Sequence, residues 1–425
     1  MTAAGPTPNE VQRYDVVVVG AGAAGLVAAT VAAERGRRTL LVEKNRKPGV
    51  KILMSGGTRC NLTQATDNRG IVAAFGPSGR FLHSALAALS VDDTIAMFEA
   101  EGLATKVEST GKIFPASDRA LDVLNALLGR LRRTPCELAL GEAVADIRSD
   151  EKGFVVVTSA RTVHAARVIL TTGGQSYPGC GTTGDGYRFA AALGHTIVPP
   201  RPALVPITTD APWVREQSGV TLPDVVLRVV EPSAMAGGKP RVLAERRGSL
   251  LFTHFGLSGP VALDVSRAVS GHADARSLAV LCDLLPNTKR QTLDDALRMQ
   301  AAAAGKRQLV GLLPEEVPKR LGETLLALAG VAPDQKAAEL SARARQQIVN
   351  VLKQLSIPVS GTCGFKKAEV TAGGVALEEV DSRTMQSKRA PNLYLAGEVL
   401  DFDGPIGGYN FQAAWSTGYL AGQSV

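Results

Sequence analysis

The chain has 425 residues, which at roughly 150 residues per domain predicts two or three structural units with substantial cores. Hydrophobic residues make up 45% and charged residues 20%, so the composition excludes a disordered, collagen-like or coiled-coil protein. The net charge of +7 suits an anionic cofactor or a nucleic acid and is specific to neither. The five cysteines include no C-x-x-C pair, which excludes a disulfide framework, a paired zinc knuckle and a redox disulfide. Electron chemistry would therefore need a bound cofactor, and we predict no metal site.

A charge-free run covers residues 16–33 and would pass a crude test for a membrane span. It contains three glycines and many alanines, and it follows Tyr14-Asp15 rather than a basic flank. We therefore reject a signal peptide or membrane anchor, take the first 13 residues as a short polar tail, and expect a cytoplasmic protein.

The same run begins a β-α-β unit. Val16–Val19 is a β-branched strand that leads into the glycine turn 20–25 and an alanine-rich helix up to Glu34. A second strand, Thr39–Val42, ends at Glu43. Within about 30 residues this gives strand, helix and parallel strand, the first unit of a dinucleotide-binding fold.

The rest of the chain predicts one nucleotide-binding domain that is interrupted by two inserts. Residues 154–158 and 163–170 form hairpin strands before the turn Thr172-Gly173-Gly174, and Asn392–Ala396 forms a further strand. Residues 196–285 contain prolines and β-branched runs, whereas residues 287–353 have a helical pattern. We therefore expect an α/β protein with a Rossmann-like domain of residues 1–195 and 356–425. The inserts are a β-rich substrate domain, residues 196–286, and a helical insert, residues 287–355.

The motif G-x-G-x-x-G at Gly20, Gly22 and Gly25 follows a strand and opens a helix, and Glu43 comes 18 residues beyond Gly25. In this context Gly20 allows the tight turn, Gly22 lets the backbone approach a pyrophosphate, and Gly25 lets helix and strand pack closely. Glu43 would accept hydrogen bonds from ribose hydroxyls.

A second match, Gly179–Gly184, lacks that context. Pro178 precedes it instead of a strand, and no acid lies about 20 residues further on. We interpret it as a loop beside the redox centre, which leaves no dedicated NAD(P)H domain.

Two further segments combine glycines with polar residues. In the first, Gly56-Gly57 lie next to Arg59 and Asn61, so that backbone N–H groups and an arginine could face a phosphate or a flavin carbonyl. In the second, Asp401 is placed to accept ribityl hydroxyls, and Gly407-Gly408 open a helix whose positive end would face a flavin.

These motifs together resemble one family. The letters GAGAAG, KILMSGGTRCNLT, KIFPAS, GSLLFTHFGLSGP, AEVTAGGV and LYLAGEVLDFDGPIGGYNFQAAWSTG are similar to the BaiN/RdsA (YhiN-type) NAD(P)/FAD-dependent oxidoreductases, over nearly the whole chain. The resemblance implies non-covalent FAD in a discontinuous Rossmann-like domain with β-barrel-like and helical inserts, and NAD(P)H as a transient reductant. It also implies one of several activities: saturation of a uracil in large-subunit ribosomal RNA to dihydrouridine, reduction of enone-type steroids, or amine oxidation.

The cofactor-binding residues expected from the motifs and the resemblance are Gly20, Gly22, Ala23, Ala24, Gly25, Glu43, Lys44, Lys51, Gly56, Gly57, Arg59, Cys60, Asn61, Val144, Gly173, Gly397, Glu398, Asp401, Gly407, Gly408 and Asn410. One departure from the family pattern is Thr58, where a third glycine is expected. Its side chain would lie beside the flavin.

Reduction of an activated C=C bond also needs a proton donor. His254 lies in a glycine-rich bend before a helix that has Pro260 in its first turn. Cys60 could donate a proton as a thiol polarised by Arg59; the alternative is a small, buried residue that only fills space in the core. Tyr409 lies beside the glycines that would face the flavin.

The sequence thus favours an NAD(P)H-driven, FAD-dependent reductase of C=C bonds that acts on ribosomal RNA or a small enone. An amine oxidase and a non-enzymatic flavoprotein that binds RNA or a protein partner are the alternatives. Between Asn287 and Lys353, eleven Lys and Arg face seven Asp and Glu, an excess of +4. We expect this basic stretch to contact RNA, notably through Lys306, Arg307, Lys319 and Arg320, although a solvated helix surface would have the same composition.

Overall fold

A computed structural model describes residues 12–232 and 238–425. The chain divides into two compact units: unit 1 comprises residues up to Arg201 together with Glu369–Val425, and unit 2 comprises Pro202–Ala368. Most of the polar tail expected from the sequence lies outside the described residues.

The strands, in chain order, are β1 (Gln12–Val19), β2 (Thr39–Glu43), β3 (Thr63–Gln64), β4 (Thr105–Val107), β5 (Lys112–Pro115), β6 (Glu137–Leu140), β7 (Val144–Asp150), β8 (Gly153–Thr158), β9 (Thr162–Leu170), β10 (Ile197–Ala203), β11 (Ile207–Thr208), β12 (Thr221–Glu231), β13 (Arg241–Thr253), β14 (Gly256–Ser258), β15 (Ala279–Asp283), β16 (Leu355–Pro358), β17 (Gly361–Thr362), β18 (Val370–Val375) and β19 (Leu393–Leu395).

The α-helices are α1 (Ala23–Glu34), α2 (Val50–Met54), α3 (Asn68–Ala74), α4 (His83–Ala88), α5 (Val91–Ala100), α6 (Ala120–Arg132), α7 (Asp185–Ala192), α8 (Pro212–Glu216), α9 (Pro260–Ser270), α10 (Arg290–Ala303), α11 (Lys319–Leu328), α12 (Ala342–Lys353) and α13 (Tyr409–Ser424). Short 3₁₀ helices cover Gly76–Leu82, Pro178–Cys180, Ala275–Ser277, Leu309–Leu312, Ala337–Glu339 and Leu377–Glu379.

Unit 1 is built on a sheet whose parallel strands follow the order β6-β2-β1-β9-β19. The antiparallel strands β8 and β7 continue the sheet beside the first half of β9, and β19 pairs with its second half. The carboxyl ends of parallel strands meet at one edge, which is where α/β sheets bind their ligands. This confirms the predicted Rossmann-like fold with strands from both ends of the chain.

Helix α1 and the C-terminal helix α13 pack against each other through small residues. A Cβ at Gly418 would lie 2.4 Å from the carbonyl oxygen of Ala24, and one at Gly422 would lie 2.6 Å from that of Ala28. The two backbones therefore approach as closely as glycine allows. Trp415, fully buried, fixes α13 further because its indole N–H donates to the carbonyl of Leu62 at 3.0 Å.

Unit 2 contains a seven-stranded sheet with the order β16-β15-β12-β13-β14-β11-β17. Only two residues, Val359 and Ser360, separate β16 from β17, so the chain joins the two ends of the strand path in a barrel-like course. Helix α9 begins with Pro260 at its first turn, as the sequence predicts. The helices α10, α11 and α12 share one hydrophobic core with this sheet.

This division differs from the boundaries expected from the sequence. The β-rich and helical stretches form one unit because their apolar faces are buried against each other. Residues 356–368, which the sequence assigns to the Rossmann-like domain, belong to unit 2, where β16 and β17 pair with β15 and β11.

Among residues 12–232 and 238–425, no single helix is long and apolar enough to cross a membrane. Residues 76–88 and 91–100 pass that test of length and composition only as a pair, bent by 43°.

The packing of α13 on α1 predicts opposite effects for two Gly→Ala changes. Gly418→Ala should lower the free energy of unfolding by about 1–3 kcal/mol, because the new methyl overlaps the Ala24 carbonyl. Gly129→Ala, inside α6, should raise it by about 0.5–1 kcal/mol, because the nearest atom of the described residues outside the helix backbone would lie 3.9 Å from the new Cβ. Urea denaturation measures both, and equal effects would contradict the close packing.

Candidate functional site

The glycine turn after β1 is held against the end of β9. Thr171 donates its hydroxyl hydrogen towards the carbonyl oxygens of Val19 and Gly20, both at 2.9 Å. Gly20 has φ +103°, and a Cβ there would lie 2.8 Å from the Thr171 carbonyl oxygen. A Cβ at Gly25 would lie only 1.8 Å from the Gly20 carbonyl oxygen. Only glycine fits at these two positions, as the motif predicts.

Glu43 ties this turn to the segment after β2. Its Oε2 accepts a hydrogen bond from the Ala21 N–H at 2.8 Å, and its Oε1 accepts one from the Asn45 N–H at 2.9 Å. The side chain is 9% exposed. The carboxylate therefore shapes the loop as well as offering its remaining lone pairs to a ribose.

The N-terminus of α1 fits the pyrophosphate of a dinucleotide. Gly22 is the N-cap, and a Cβ on it would meet no heavy atom of the described residues within 4 Å apart from its chain neighbours and its own helix. The first turn, with Ala23 and Ala24, contains no acidic residue. Open space in front of an uncapped helix start is what a phosphate oxygen requires.

Lys44 points to the loop that contains the second glycine motif. Its Nζ lies 2.5 Å from Asp185 Oδ2 and 2.6 Å from Thr183 Oγ1. Burial would raise the pKa of Asp185, but the hydrogen bond and charge of Lys44 outweigh it and hold that pKa below its usual range. Asn45 donates to the Cys180 carbonyl at 2.9 Å. The loop thus packs beside the strand edge and forms no second dinucleotide fold.

Lys51 and Glu398 form a half-buried ion pair at 2.5 Å across the site. Ser176 joins them, because its Oγ lies 2.7 Å from Lys51 Nζ and donates to Glu398 Oε1 at 2.8 Å. The same Oε1 accepts the N–H of Thr371 at 2.8 Å. Four segments far apart in sequence are therefore fixed around one carboxylate.

The segment after α2 has a strained backbone. Gly56, Gly57, Thr58 and Cys60 all have positive φ, between +55° and +69°. Thr58, at φ +69°, is an exposed β-branched residue in a conformation that suits glycine. The conformation agrees with the expectation from the sequence that a glycine would suit this position.

The guanidinium of Arg59 is already paired with two carboxylates of the protein. Its guanidinium lies 2.6 Å from Glu108 Oε1 and 3.3 Å from Asp118 Oδ1, and it stacks 4.0 Å above the ring of Phe114. Its charge is balanced by these two carboxylates, so the geometry does not support polarisation of Cys60 by Arg59 and favours the alternative of a buried structural cysteine.

Cys60 and Asn61 are neighbours in sequence, but their side chains have different environments. Burial raises the pKa of the Cys60 thiol to about 12, and a hydrogen bond with Ser55 offsets only part of this. The thiol packs in the core of unit 1. The neighbouring Asn61 is nearly buried, and its Oδ1 has no hydrogen-bond partner within the described part of the chain. Such an acceptor fits a donor from a bound cofactor.

The C-terminal segment folds into a turn before α13. Gly408 is the N-cap, with φ +92°, and a Cβ there would lie 2.6 Å from the Thr63 carbonyl oxygen. Asn410 Nδ2 donates to the Gly404 carbonyl at 2.9 Å, and its Oδ1 accepts the Gly404 N–H at 2.8 Å. Asn410 thus shapes the turn. Tyr409 is the first, half-buried residue of α13.

The remaining predicted residues divide between the two units. Gly173 and Gly397 follow β9 and β19 at the strand edge, and the N–H of Asp401 donates to the Val375 carbonyl at 3.0 Å. Val144 begins β7, two residues after Glu142, whose N–H donates to the Glu43 carbonyl. His254 is exposed in the turn between β13 and β14 of unit 2 and stacks edge-on against Phe255.

Sequence reasoning missed Thr171, Ser176, Thr371 and Tyr187. The Tyr187 hydroxyl is buried, and a Cβ at Gly174 would lie 3.1 Å from it. Burial raises the pKa of this phenol, and the charges of Glu398 and Asp401 raise it further, so it remains a hydrogen-bond donor. The residues TGDGY at 183–187 could have indicated it, since they follow the glycine turn directly.

The strain at Thr58 predicts that Thr58→Gly stabilises the protein. Loss of a left-handed non-glycine residue should outweigh the extra freedom of glycine in the unfolded chain, for a gain of about 0.5–1 kcal/mol. Thr162→Gly, exposed at the first position of β9, is the control and should destabilise by a similar amount. Thermal and urea unfolding measure both changes; a loss of stability in Thr58→Gly would refute the strain.

The two hydrogen bonds of Glu43 predict a selective effect on cofactor affinity. Glu43→Ala should weaken FAD binding at least about tenfold, because both the ribose acceptor and the support of the Ala21 N–H are lost. FMN lacks the adenosine and should lose less affinity. Fluorescence titration of the apoprotein with each flavin measures both affinities. An equal loss of affinity for FAD and FMN would show that Glu43 does not contact the adenosine.

Comparison with known proteins places this geometry in a family. Residues 14–424 match the model of the HI0933-like protein Rossmann domain. The chain is 35% identical to the ribosomal RNA dihydrouridine synthase of Escherichia coli, over 97% of this chain and 98% of that one. It is 33% identical to the 3-dehydro-bile acid delta(4,6)-reductase of Clostridium scindens, over 96% and 98%.

Among solved structures, 3-ketosteroid-delta4-(5alpha)-dehydrogenase from Rhodococcus jostii is similar with a TM-score of 0.54, 15% identity and 98% coverage of both chains, which supports the fold alone. The family model and the full-length relatives cover almost all of this chain and confirm the resemblance inferred from its motifs. The chain therefore belongs to the HI0933-like Rossmann family of FAD-dependent oxidoreductases.

Proposed function

We propose that the protein is an FAD-dependent reductase that saturates an activated C=C bond with electrons from NAD(P)H. One observation supports this most: the chain is similar over its full length to two enzymes with unrelated substrates, a uridine in ribosomal RNA and a bile acid. Formation of dihydrouridine and reduction of a delta(4,6) steroid are the same change of bonding. The two relatives therefore share the saturation of a C=C bond and differ in the substrate that carries it.

The residues at the strand edge suit FAD. The open start of α1 would hold the pyrophosphate, Glu43 the adenosine ribose, and Asp401 with Asn61 the flavin half. When bound, FAD supplies the hydride that NAD(P)H delivers to it. The Lys51–Glu398 pair would hold the surrounding loops in place without adding net charge.

Of the three proton donors considered, Cys60 is the least suitable. A thiol with a pKa of about 12 inside an apolar core gives up its proton poorly. Tyr409 and His254 remain, the first beside the glycines at the start of α13 and the second exposed in a turn of unit 2. Loss of C=C reduction in His254→Gln with the FAD content retained would assign the histidine.

For the substrate, we propose a uridine of 23S ribosomal RNA in the cytoplasm, with a small enone as the second candidate. Two full-length relatives, from Escherichia coli and Haemophilus influenzae, are ribosomal RNA dihydrouridine synthases. The basic excess of residues 287–353 also suits an RNA substrate better than a steroid.

Mass analysis of 23S ribosomal RNA nucleosides tests this substrate. Deletion of the gene should remove dihydrouridine from the RNA, and the wild-type gene on a plasmid should restore it, whereas the Glu43→Ala gene should restore less. A bile-acid enone offered to the purified protein with NAD(P)H covers the second candidate. An unchanged dihydrouridine content after deletion, together with reduction of the enone, would replace the RNA substrate by the small molecule.

A further inference from the structure

Unit 2 carries nearly all of the basic excess of the chain. Its 167 residues contain 21 Lys and Arg against 15 Asp and Glu, a net charge of +6 out of +7. Charge alone does not make a binding surface, because a cation that is paired with a carboxylate offers little to a phosphate. The informative cations are those that are exposed and unpaired.

Several basic residues of the helical stretch are already engaged. Arg345 lies 2.7 Å from Asp294, Lys353 lies 2.8 Å from Asp283, and Arg298 lies 3.0 Å from Asp295. Arg320, which the sequence suggested as an RNA contact, donates to the Ser218 carbonyl at 2.8 Å and so attaches α11 to a neighbouring loop. The composition of the stretch therefore overstates the charge that is available to a ligand.

Three cations remain together and unpaired. Residues 305–309 run antiparallel to residues 335–338: the Ala337 N–H donates to the Arg307 carbonyl at 2.8 Å, and Gln308 pairs with Lys336. This ladder places Lys306, Arg307 and Lys336 in two neighbouring backbone segments. All three are exposed, and no carboxylate oxygen of the described residues lies within 4.0 Å of their charged groups.

We propose that Lys306, Arg307 and Lys336, the cation cluster, bind phosphate groups of an RNA, an inference that rests on the proposed RNA substrate. Backbone hydrogen bonds fix the spacing of the cluster, so little order is lost when it binds a regular row of charges. Its neighbours Gln308 and Gln335 are amides, which can donate to phosphate or sugar oxygens. A bilayer surface would require large apolar side chains beside the cations, and residues 305–309 and 335–338 contain only one, Leu309, which is buried.

The salt dependence of RNA binding tests the cluster. The triple variant Lys306→Gln, Arg307→Gln, Lys336→Gln is compared with wild type in binding a labelled oligouridylate at several salt concentrations. Each lost phosphate contact should lower the slope of log affinity against log salt by about 0.7, so the triple variant should lose about 2 in slope. The control variant Arg215→Gln, Arg228→Gln, Arg298→Gln removes the same charge from cations that are paired with carboxylates, and its slope should change little.

The outcomes separate this proposal from the proposed function. The cation cluster is supported if the triple variant, but not the control variant, loses slope of log affinity against log salt. The triple variant must also keep its FAD content and its unfolding temperature. Equal slopes in wild type and the triple variant overturn the proposal, even if the wild type makes dihydrouridine in 23S ribosomal RNA. Loss of binding to vesicles of anionic phospholipid, with oligouridylate binding unchanged, also overturns it and assigns the cluster to a membrane surface. A reduced slope in a protein that makes no dihydrouridine keeps the RNA contact and rejects the substrate.

Discussion

The close approach of the glycine turn to the end of β9 is the constraint on which the site depends. Thr171 can reach the carbonyls of Val19 and Gly20 only because neither Gly20 nor Gly25 has a side chain in the way. This contact sets the start of α1 at the carboxyl edge of the sheet, with its N–H groups facing open space. The C-terminal segment is positioned by the same helix, because α13 packs directly on α1.

Carboxylates in this site act mainly as organisers of backbone. Glu43 accepts two N–H groups from different loops, and Glu398 accepts the Thr371 N–H while it pairs with Lys51. Both are largely buried, and a buried carboxylate is tolerable only when hydrogen bonds or a cation replace water. The first turns of α1 and α13 contain no acidic residue, so we expect the positive end of each helix to favour an anionic cofactor.

The sequence predicted the parts of the fold that local patterns encode. The strand, glycine turn and helix at residues 16–34 follow from β-branched and alanine-rich runs, and the contribution of β19 follows from a second strand that ends in glycine and acid. The partners of Arg59 could not be found this way, because Glu108 and Asp118 lie 49 and 59 residues further along the chain. The same holds for Lys51 and Glu398, which are 347 residues apart. Long-range ion pairs depend on the fold, and no local sequence pattern predicts them.

The extent of unit 2 was missed for a related reason. The sequence pattern changes from β-rich to helical at about residue 287, which suggests two domains. However, α10, α11 and α12 are amphipathic and bury their apolar faces on the barrel-like sheet. A helix that is polar on one side must cover its other side, and in this chain the nearest apolar surface is the sheet. Some cations of these helices pair with carboxylates of the same unit, as Arg298 does with Asp295, Arg345 with Asp294 and Lys353 with Asp283. Lys306, Arg307 and Lys336 lie in the connections between helices, are exposed, and have no carboxylate oxygen of the described residues within 4.0 Å, so their charge stays available to a ligand.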